Sequence, residues 1–372
     1  MRIEAETMLV GVLAQPGLRE ALGLEGAPAT VPGRLAGGAG AGLPEGGWPW
    51  LLPGPGAIAA WRLETPTPAL ERYAEVFGLA PVATPAGTVL GITAEGGEAE
   101  AGDTAPGDTA ADARLAAALA AEIAGADASQ TPADLRRRLP QIAVAVASRL
   151  RAADTRRPAA LLPSPDADAV RIEARSTPHA GFFAVERLDI VHRHHDGGLN
   201  PRVTREVLVA GDAVIVLPWD PLRDRVMVID QFRAAVAARG EAQAWMLEPI
   251  AGRIDPRETP AGTALREAAE EARLTLDPAR LIEAPASYPS PGVLAEYIYA
   301  YVAPCDLPDG CAGLAGLEAE GEDIRAHLLP RAELTRMALA GELPNGPLAL
   351  IALWLALEAP RLAALDACRS RG

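Results

Sequence analysis

The chain has 372 residues and a formal net charge of −15, with 49% hydrophobic and 4% aromatic residues. The length favours two domains over one, and the hydrophobic fraction is enough to fill real cores. The negative balance excludes a protein that grips nucleic acid through non-specific phosphate contacts; a local phosphate site built from Arg and a metal stays open.

In chain order, residues 8–13 read as a buried strand ending near Gln15-Pro16-Gly17, and a short helix follows over 18–22. Residues 31–63, rich in Gly and Pro, predict short strands and turns, with Trp48, Trp50 and Trp61 supplying bulk. A helix is expected over 68–77 and a strand over 88–93; residues 94–111, mostly Gly, Glu, Asp and Ala, read as a loop. Helices follow over 112–124 and 132–151. The second opens on Thr131-Pro132-Ala133-Asp134 and keeps helical spacing through Leu135, Leu139, Ile142, Val146 and Leu150. Pro140 should kink or split it, and Arg136, Arg137 and Arg138 read as a solvated face. A linker rich in Pro, 153–167, ends this half. Strands are then expected over 170–174, 182–192, 204–209, 213–219, 225–231, 246–251 and 297–302, with a turn over 220–224 and an amphipathic closing helix over 348–365.

Other signals are negative. Cys305, Cys311 and Cys368 have neither metal-ligand spacing nor a disulfide framework. His192, His194 and His195 lack Cys or carboxylate partners at metal spacing and read as surface residues. The first residues do not resemble a signal peptide, and no uncharged apolar run reaches about 18 residues. The expectation is a soluble cytoplasmic protein with no membrane and no nucleic-acid partner.

One stretch carries chemistry. Thr259 is a plausible N-cap and Pro260 suits a first helical position, so a helix should run over 260–272. Glu267, Glu270 and Glu271 then share one face, where they repel one another unless a partner such as a hard divalent cation relieves them. The longer pattern, Gly252, Glu258, Arg266, Glu267, Ala268, Glu270, Glu271 and Leu274 at fixed spacing, resembles the Nudix box. It departs at Arg273, where the family has Gly; Arg adopts the left-handed conformation at a cost of about 1–2 kcal/mol.

Within that family, residues 168–372 most resemble the ADP-ribose pyrophosphatases. Asp196-Gly197-Gly198-Leu199 with Arg205 resembles the entry segment that binds the pyrophosphate, and Gln231-Phe232-Arg233 the strand end that supplies a second Arg. Leu247-Glu248-Pro249-Ile250-Ala251-Gly252 resembles the approach to the box, with Glu248 near the substrate ribose. Pro291, beside Gly292, stands where the ADP-ribose subgroup has its Pro. Glu318-Ala319-Glu320-Gly321-Glu322 resembles the mobile loop that delivers the catalytic base. The resemblance implies Glu320 as base and Glu267 and Glu271 as further catalytic groups. It implies metal ligation by Glu267, Glu270, Glu271, Glu322 and the Ala251 carbonyl, and substrate contacts from Arg205, Arg233, Glu248, Arg253, Pro291 and Gly292. It also implies Mg2+ or Mn2+ as cofactor, a nucleoside diphosphate sugar as substrate, and a homodimer.

Residues 1–152 loosely resemble the gamma-glutamylcyclotransferase-like fold. Val10-Gly11-Val12-Leu13 replaces that family's anion-binding turn, and Tyr73-Ala74 stands where it has an acid/base Glu; Glu71 and Glu75 point elsewhere on the helix. The resemblance therefore implies a structural or docking domain without cyclotransferase activity. The two halves in this order look like the tellurite-resistance-associated TrgB group. The expected architecture is α/β (α+β): a non-catalytic cyclotransferase-like α+β domain over 1–152, a linker over 153–167, and a Nudix α/β/α sandwich over 168–372. The implied reaction is hydrolysis of ADP-ribose to AMP and ribose 5-phosphate. The alternatives are another nucleoside diphosphate sugar as substrate, or an ADP-ribose-sensing module without turnover.

Overall fold

The computed structural model describes residues 2–93, 109–155, 166–317 and 321–369. The chain divides into two units, one ending at Leu208 and one beginning at Val209.

The first unit opens with β1 (Met8–Val10), which pairs antiparallel with β3 (Trp50–Leu63) and parallel with β5 (Gly87–Leu90). The expected strand over 8–13 is cut short because Gly11 takes φ +59°, turning the chain into a 3-10 helix over Gly11–Ala14. After α1 (Pro16–Ala21), β2 (Gly26–Ala36) pairs along β3. The short strands expected over 31–63 are thus one long hairpin. Its ladder shifts register between Pro32 and Arg34, which accommodates a Pro without an N–H to donate. Helix α2 (Pro68–Phe77) begins where Thr67 accepts from the Leu70 N–H, and β4 (Val82–Thr84) pairs with β5.

Capping boxes at Thr109/Asp112 and Thr131/Asp134 start α3 (Ala110–Gly125) and α4 (Pro132–Arg137). The helical pattern over 132–151 does split at Pro140: α5 (Leu139–Asp154) carries that Pro in its first turn. These helices pack on Leu9, Leu13, Leu70 and Tyr73 through Leu119, Ile123 and Ala143. Val10, Val12 and Ala74 are all buried, and the Tyr73 hydroxyl is buried without a hydrogen-bond partner among the described residues; burial drives its pKa well above the ordinary value.

Strands β6 (Val170–Ala180), β7 (Ala184–His192) and β8 (Val203–Val209) form a sheet in the order β8-β7-β6. They lie beyond the linker expected over 153–167, of which 156–165 fall outside the described residues, yet they group with the first unit up to Leu208. Buried Glu186 on β7 is one tie within that unit: it is held by Arg149 of α5 and by Arg175, 3.5 Å away on β6, while Arg149 also reaches Glu122 of α3 at 2.7 Å.

In the second unit, β9 (Ala213–Asp220), β10 (Arg225–Phe232), β11 (Trp245–Glu248) and β12 (Ile250–Arg253) surround the site; the short α6 (Ala234–Ala238) follows β10. The strand expected over 246–251 is two strands, broken at Pro249, which cannot donate to a ladder. Helix α7 (Pro260–Ala272) precedes β13 (Ile282–Ser287), β14 (Leu294–Ala295), β15 (Ile298–Pro304), β16 (Leu314–Ala315) and β17 (Ile324–Pro330). Helices α8 (Arg331–Leu339) and α9 (Gly346–Arg369) close the chain. One edge of β9 runs parallel to β15. The other edge forks: residues 213–216 pair with β12 and residues 219–220 with β10.

The two faces of β9 sort its residues by alternation. Val214 and Val216 pack with Ala264, Ala268 and Ala272 of α7, whereas Ile215, Leu217 and Trp219 pack with Leu348, Ile351 and Leu355 of α9. The sheet is therefore sandwiched between α7 and α9. By length and composition, α9 also holds a span long and apolar enough to cross a membrane, over Gly346–Ala364 with mean hydropathy 1.4; Glu358 and Arg361 interrupt it, so it is not an uncharged run. One side of that helix is committed to the core of this unit.

Candidate functional site

The site is built on α7. The Thr259 side chain accepts from the Gly262 N–H at 3.0 Å, Pro260 follows it, and the helix ends where Arg273 adopts φ 54°, ψ 32°. Ala264, Ala268 and Ala272 bury on the sheet and carry neighbouring Glu267 and Glu271 inward, leaving them 9% and 2% exposed. Arg273 closes the helix in the conformation the family gives to Gly: its N–H donates to the Ala269 carbonyl at 3.1 Å and the Leu274 N–H to Ala268 at 2.9 Å. The departure from Gly leaves the turn intact and costs only strain. Arg273→Gly is expected to raise unfolding stability by about 1 kcal/mol, with kinetics unchanged; a denaturant midpoint at or below the parent's would refute this.

Glu267 and Glu271 converge on one peptide. The Ala251 N–H donates to Glu271 Oε2 at 2.9 Å. Beside it, a Cβ on Gly252 would stand 1.8 Å from Glu267 Oε1 and 2.6 Å from its Cγ. The first residue of the motif is thus Gly because the Glu267 side chain lies against the backbone there. Burial pushes Glu271 up to about 8 and Glu267 up to about 7; repulsion between carboxylates, Glu322 among them, adds to both. Gly252→Ala should swing Glu267 out of the site. Because a side chain and no backbone must move, stability should change little while kcat/KM falls about a hundredfold. Parent-like kcat/KM in a folded variant would contradict the placement of Glu267.

Arg266 supplies what the sequence left open, a partner for the carboxylates. Its Nε and Nη2 donate to the two oxygens of Glu258 at 2.9 and 3.0 Å, and its Nη1 donates to Glu267 at 2.8 Å and Glu270 at 2.9 Å. Nη2 also reaches the Arg253 carbonyl at 3.4 Å, and Thr263 Oγ1 donates to Glu258 at 2.7 Å. Glu258 is held below its ordinary pKa, chiefly by Arg266, and Arg266 is raised in turn, chiefly by Glu258. Both residues stand in the motif, but nothing in its spacing told their pairing.

A second cluster lies where β10 and β11 meet. Glu248, 5% exposed, accepts on Oε2 from Arg233 Nε and Nη2 at 2.9 and 2.5 Å and from Gln231 Nε2 at 3.4 Å; its Oε1 accepts from Asn345 Nδ2 at 3.1 Å. Burial opposes the Arg233 charge, but Glu248, aided by Glu271 and Glu322, outweighs it and raises the guanidinium's pKa. Arg233 and Glu248 thus stand together, and Gln231 and Asn345 are members that the sequence reading missed. For Gln231 the signal was its place beside Phe232-Arg233; for Asn345 there was none.

Arg253, at the end of β12, is lowered in pKa by burial, against the pull of Asp255 and Glu296. Glu296 is raised, mainly by burial. Pro291 and Gly292 lie in an exposed turn between β13 and β14. Arg205 sits on β8 in the first unit, exposed, its Nη1 donating to the Thr204 carbonyl at 2.8 Å. His192, His194 and His195 are exposed, and the first two rings stack 5.9 Å apart.

The base assigned to Glu320, together with Glu318, lies outside the described residues. Its flanks are described and tied down. The Gly316 N–H donates to the Glu270 carbonyl at 3.2 Å, and Glu322 Oε2 accepts from the Leu317 N–H at 3.1 Å. Gly316 is thereby tied to α7, and the two described flanks to each other.

These residues suit a hard cation by chemistry: the donors are all oxygen, and two buried carboxylates repel each other beside a peptide. As they lie, however, no three His, Cys, Asp or Glu side chains among the described residues form a group that could hold a metal. Arg266 Nη1 instead donates to both Glu267 and Glu270.

The family model for the NUDIX domain matches residues 210–348. An ADP-ribose pyrophosphatase of Haemophilus influenzae is 34% identical over 196 residues, which is 52% of this chain and 88% of that protein. An ADP-ribose pyrophosphatase of Escherichia coli (strain K12) is 34% identical over 189 residues, 51% of this chain and 88% of its own. A GDP-mannose pyrophosphatase of Escherichia coli O1:K1 / APEC is 31% identical over 158 residues, 42% of this chain and 80% of its own. A solved structure of an ADP compounds hydrolase aligns with 52% of this chain and 98% of its own at 22% identity, with a TM-score of 0.39.

Proposed function

Because the chain belongs to the Nudix family of hydrolases, we propose that it splits the diphosphate of ADP-ribose to give AMP and ribose 5-phosphate, with Mg2+ or Mn2+ as cofactor. The observation that carries this is the convergence of Glu267 and Glu271 on the Ala251–Gly252 backbone, where Gly252 leaves no room for a Cβ. The names of the 34%-identical relatives support ADP-ribose as substrate.

Glu267, Glu270, Glu271, Glu322 and the Ala251 carbonyl would hold the cation. When bound, it would polarise the diphosphate and lower the pKa of a water. The chain's own groups do the rest. Arg233 and Arg253 neutralise the diphosphate, and Glu248 orients Arg233 and the ribose beside it; Arg205 keeps the diphosphate-binding role that the family resemblance implies. Pro291 and Gly292 border the substrate. Glu320 takes the proton of the attacking water as its oxygen bonds to phosphorus and the bridging oxygen leaves.

The finer parts of this reading are a TrgB-type protein whose residues 1–152 form a non-catalytic cyclotransferase-like domain, a Nudix domain over 168–372, a cytoplasmic location and a homodimer. Loss of the cyclotransferase chemistry is supported by the buried Val10, Val12 and Ala74. A second reading, another nucleoside diphosphate sugar as substrate, is favoured by the GDP-mannose pyrophosphatase relative.

The test is a panel of ADP-ribose, GDP-mannose and related compounds with Mg2+ and with Mn2+, products identified. AMP and ribose 5-phosphate from ADP-ribose support the proposal; binding without turnover would make the protein a sensor. Within the same assay, Glu320→Gln should lower kcat about 10²–10⁴-fold with KM little changed, because the base acts only in the chemical step. If Glu318→Gln or Glu322→Gln lowers kcat and Glu320→Gln does not, the base is a different carboxylate.

A further inference from the structure

We propose that Asn345 is a positioning residue for the substrate-binding pair Arg233–Glu248, an inference that rests on the reading of that pair given above. Asn345 precedes α9, and its Oδ1 accepts the Leu348 N–H at 2.9 Å, so it caps that helix. With the oxygen engaged there, the amide nitrogen is the end that faces Glu248, and it donates to Oε1 at 3.1 Å. The Glu248 side chain is 7% exposed, and a carboxylate so buried needs donors on both oxygens.

The division of donors matters. Both Arg233 donors and Gln231 use Oε2, which leaves Oε1 to Asn345. Arg233 therefore approaches one oxygen through Nε and Nη2, and its Nη1 makes no hydrogen bond among the described residues, on a side chain 41% exposed. Without the Asn345 amide, Glu248 can turn to offer both oxygens to the guanidinium, the geometry that an Arg–carboxylate pair prefers. That rotation re-aims Arg233 away from a diphosphate. Asn345 thus fixes the direction of a cation it does not touch, and it ties that direction to the start of α9.

Asp and Asn cap helices equally well, but Asp has no donor for Glu248 and sets a second carboxylate against it. Asn345→Asp keeps the cap but leaves a buried oxygen without its donor and beside a like charge, so it is expected to melt below the parent, to raise KM for ADP-ribose about tenfold or more, and to change kcat less. Asn345→Ala should lose the cap as well and melt lower. Joining Glu248→Gln to Asn345→Asp restores a donor facing an acceptor, and KM should return to that of Glu248→Gln alone. A residue that merely caps gives the opposite result, parent-like KM in Asn345→Asp, and that overturns the proposal. The parent's own turnover reports on the substrate reading separately. Should ADP-ribose not be turned over, the Nε–H resonance of Arg233 decides: it should shift in Asn345→Asp, and an unmoved resonance overturns the positioning role.

Discussion

Glu271→Gln is expected to lower kcat by about a thousandfold or more, the equivalent of about 4 kcal/mol, while the protein folds normally. Glu271 is 2% exposed, and its Oε2 accepts the Ala251 N–H. A Gln amide has the same shape and its oxygen can accept that bond, so the contact with β12 survives. What is lost is the negative charge that the proposed cation would require. Removing a buried carboxylate charge also removes its desolvation cost, so the variant should be at least as resistant to denaturant as the parent. Steady-state kinetics and a urea titration read the two halves together. Near-normal Mg2+-dependent turnover would remove Glu271 from the metal site; a destabilised variant would show that its charge serves the fold.

Arg266→Ala should be the most damaging change to the folded state. One guanidinium satisfies Glu258, Glu267 and Glu270 as well as the Arg253 carbonyl. Its removal leaves three part-buried carboxylates facing one another. Losing one partner of a fully buried pair costs about 3–5 kcal/mol. With these side chains 12–32% exposed, water recovers part of that, and about 2–4 kcal/mol is expected. Turnover should fall steeply as well, because Glu258 anchors Arg266 and Arg266 aims Glu267. Arg266→Lys keeps the charge but cannot fork to both oxygens of Glu258, so it should fall between Ala and the parent. An unchanged urea midpoint for Arg266→Ala would show that the cluster is not held together in this way.

How far the sequence could be read depended on whether the signal was local. The helix over 260–272, its Thr259 cap and the split at Pro140 are written in neighbouring residues, and the structure places them at those positions. The β2–β3 hairpin was hidden because its Gly and Pro residues mimic turns, and only the paired partner strand overrides that tendency. Strand β17 and helix α8 escaped notice because one follows an acidic loop and the other, rich in Arg and Glu, shows a weak apolar stripe. In the site, the carboxylate face of α7 followed from spacing alone. The pairing of Arg266 with Glu258 and of Asn345 with Glu248 could not, since the latter partners stand 97 residues apart and meet only after the sheet and α9 have formed.

The internal partner that Arg266 gives the carboxylates bears on how the enzyme comes into being. Small metallo-domains whose ligands have no such partner acquire their shape and their ion in a single event. Here three of the acidic side chains already have a counter-charge supplied by the polypeptide, so synthesis and folding need not wait for a divalent ion. Ion supply would then govern chiefly how fast each molecule works, and add to the stability of the fold only through the ion's own binding.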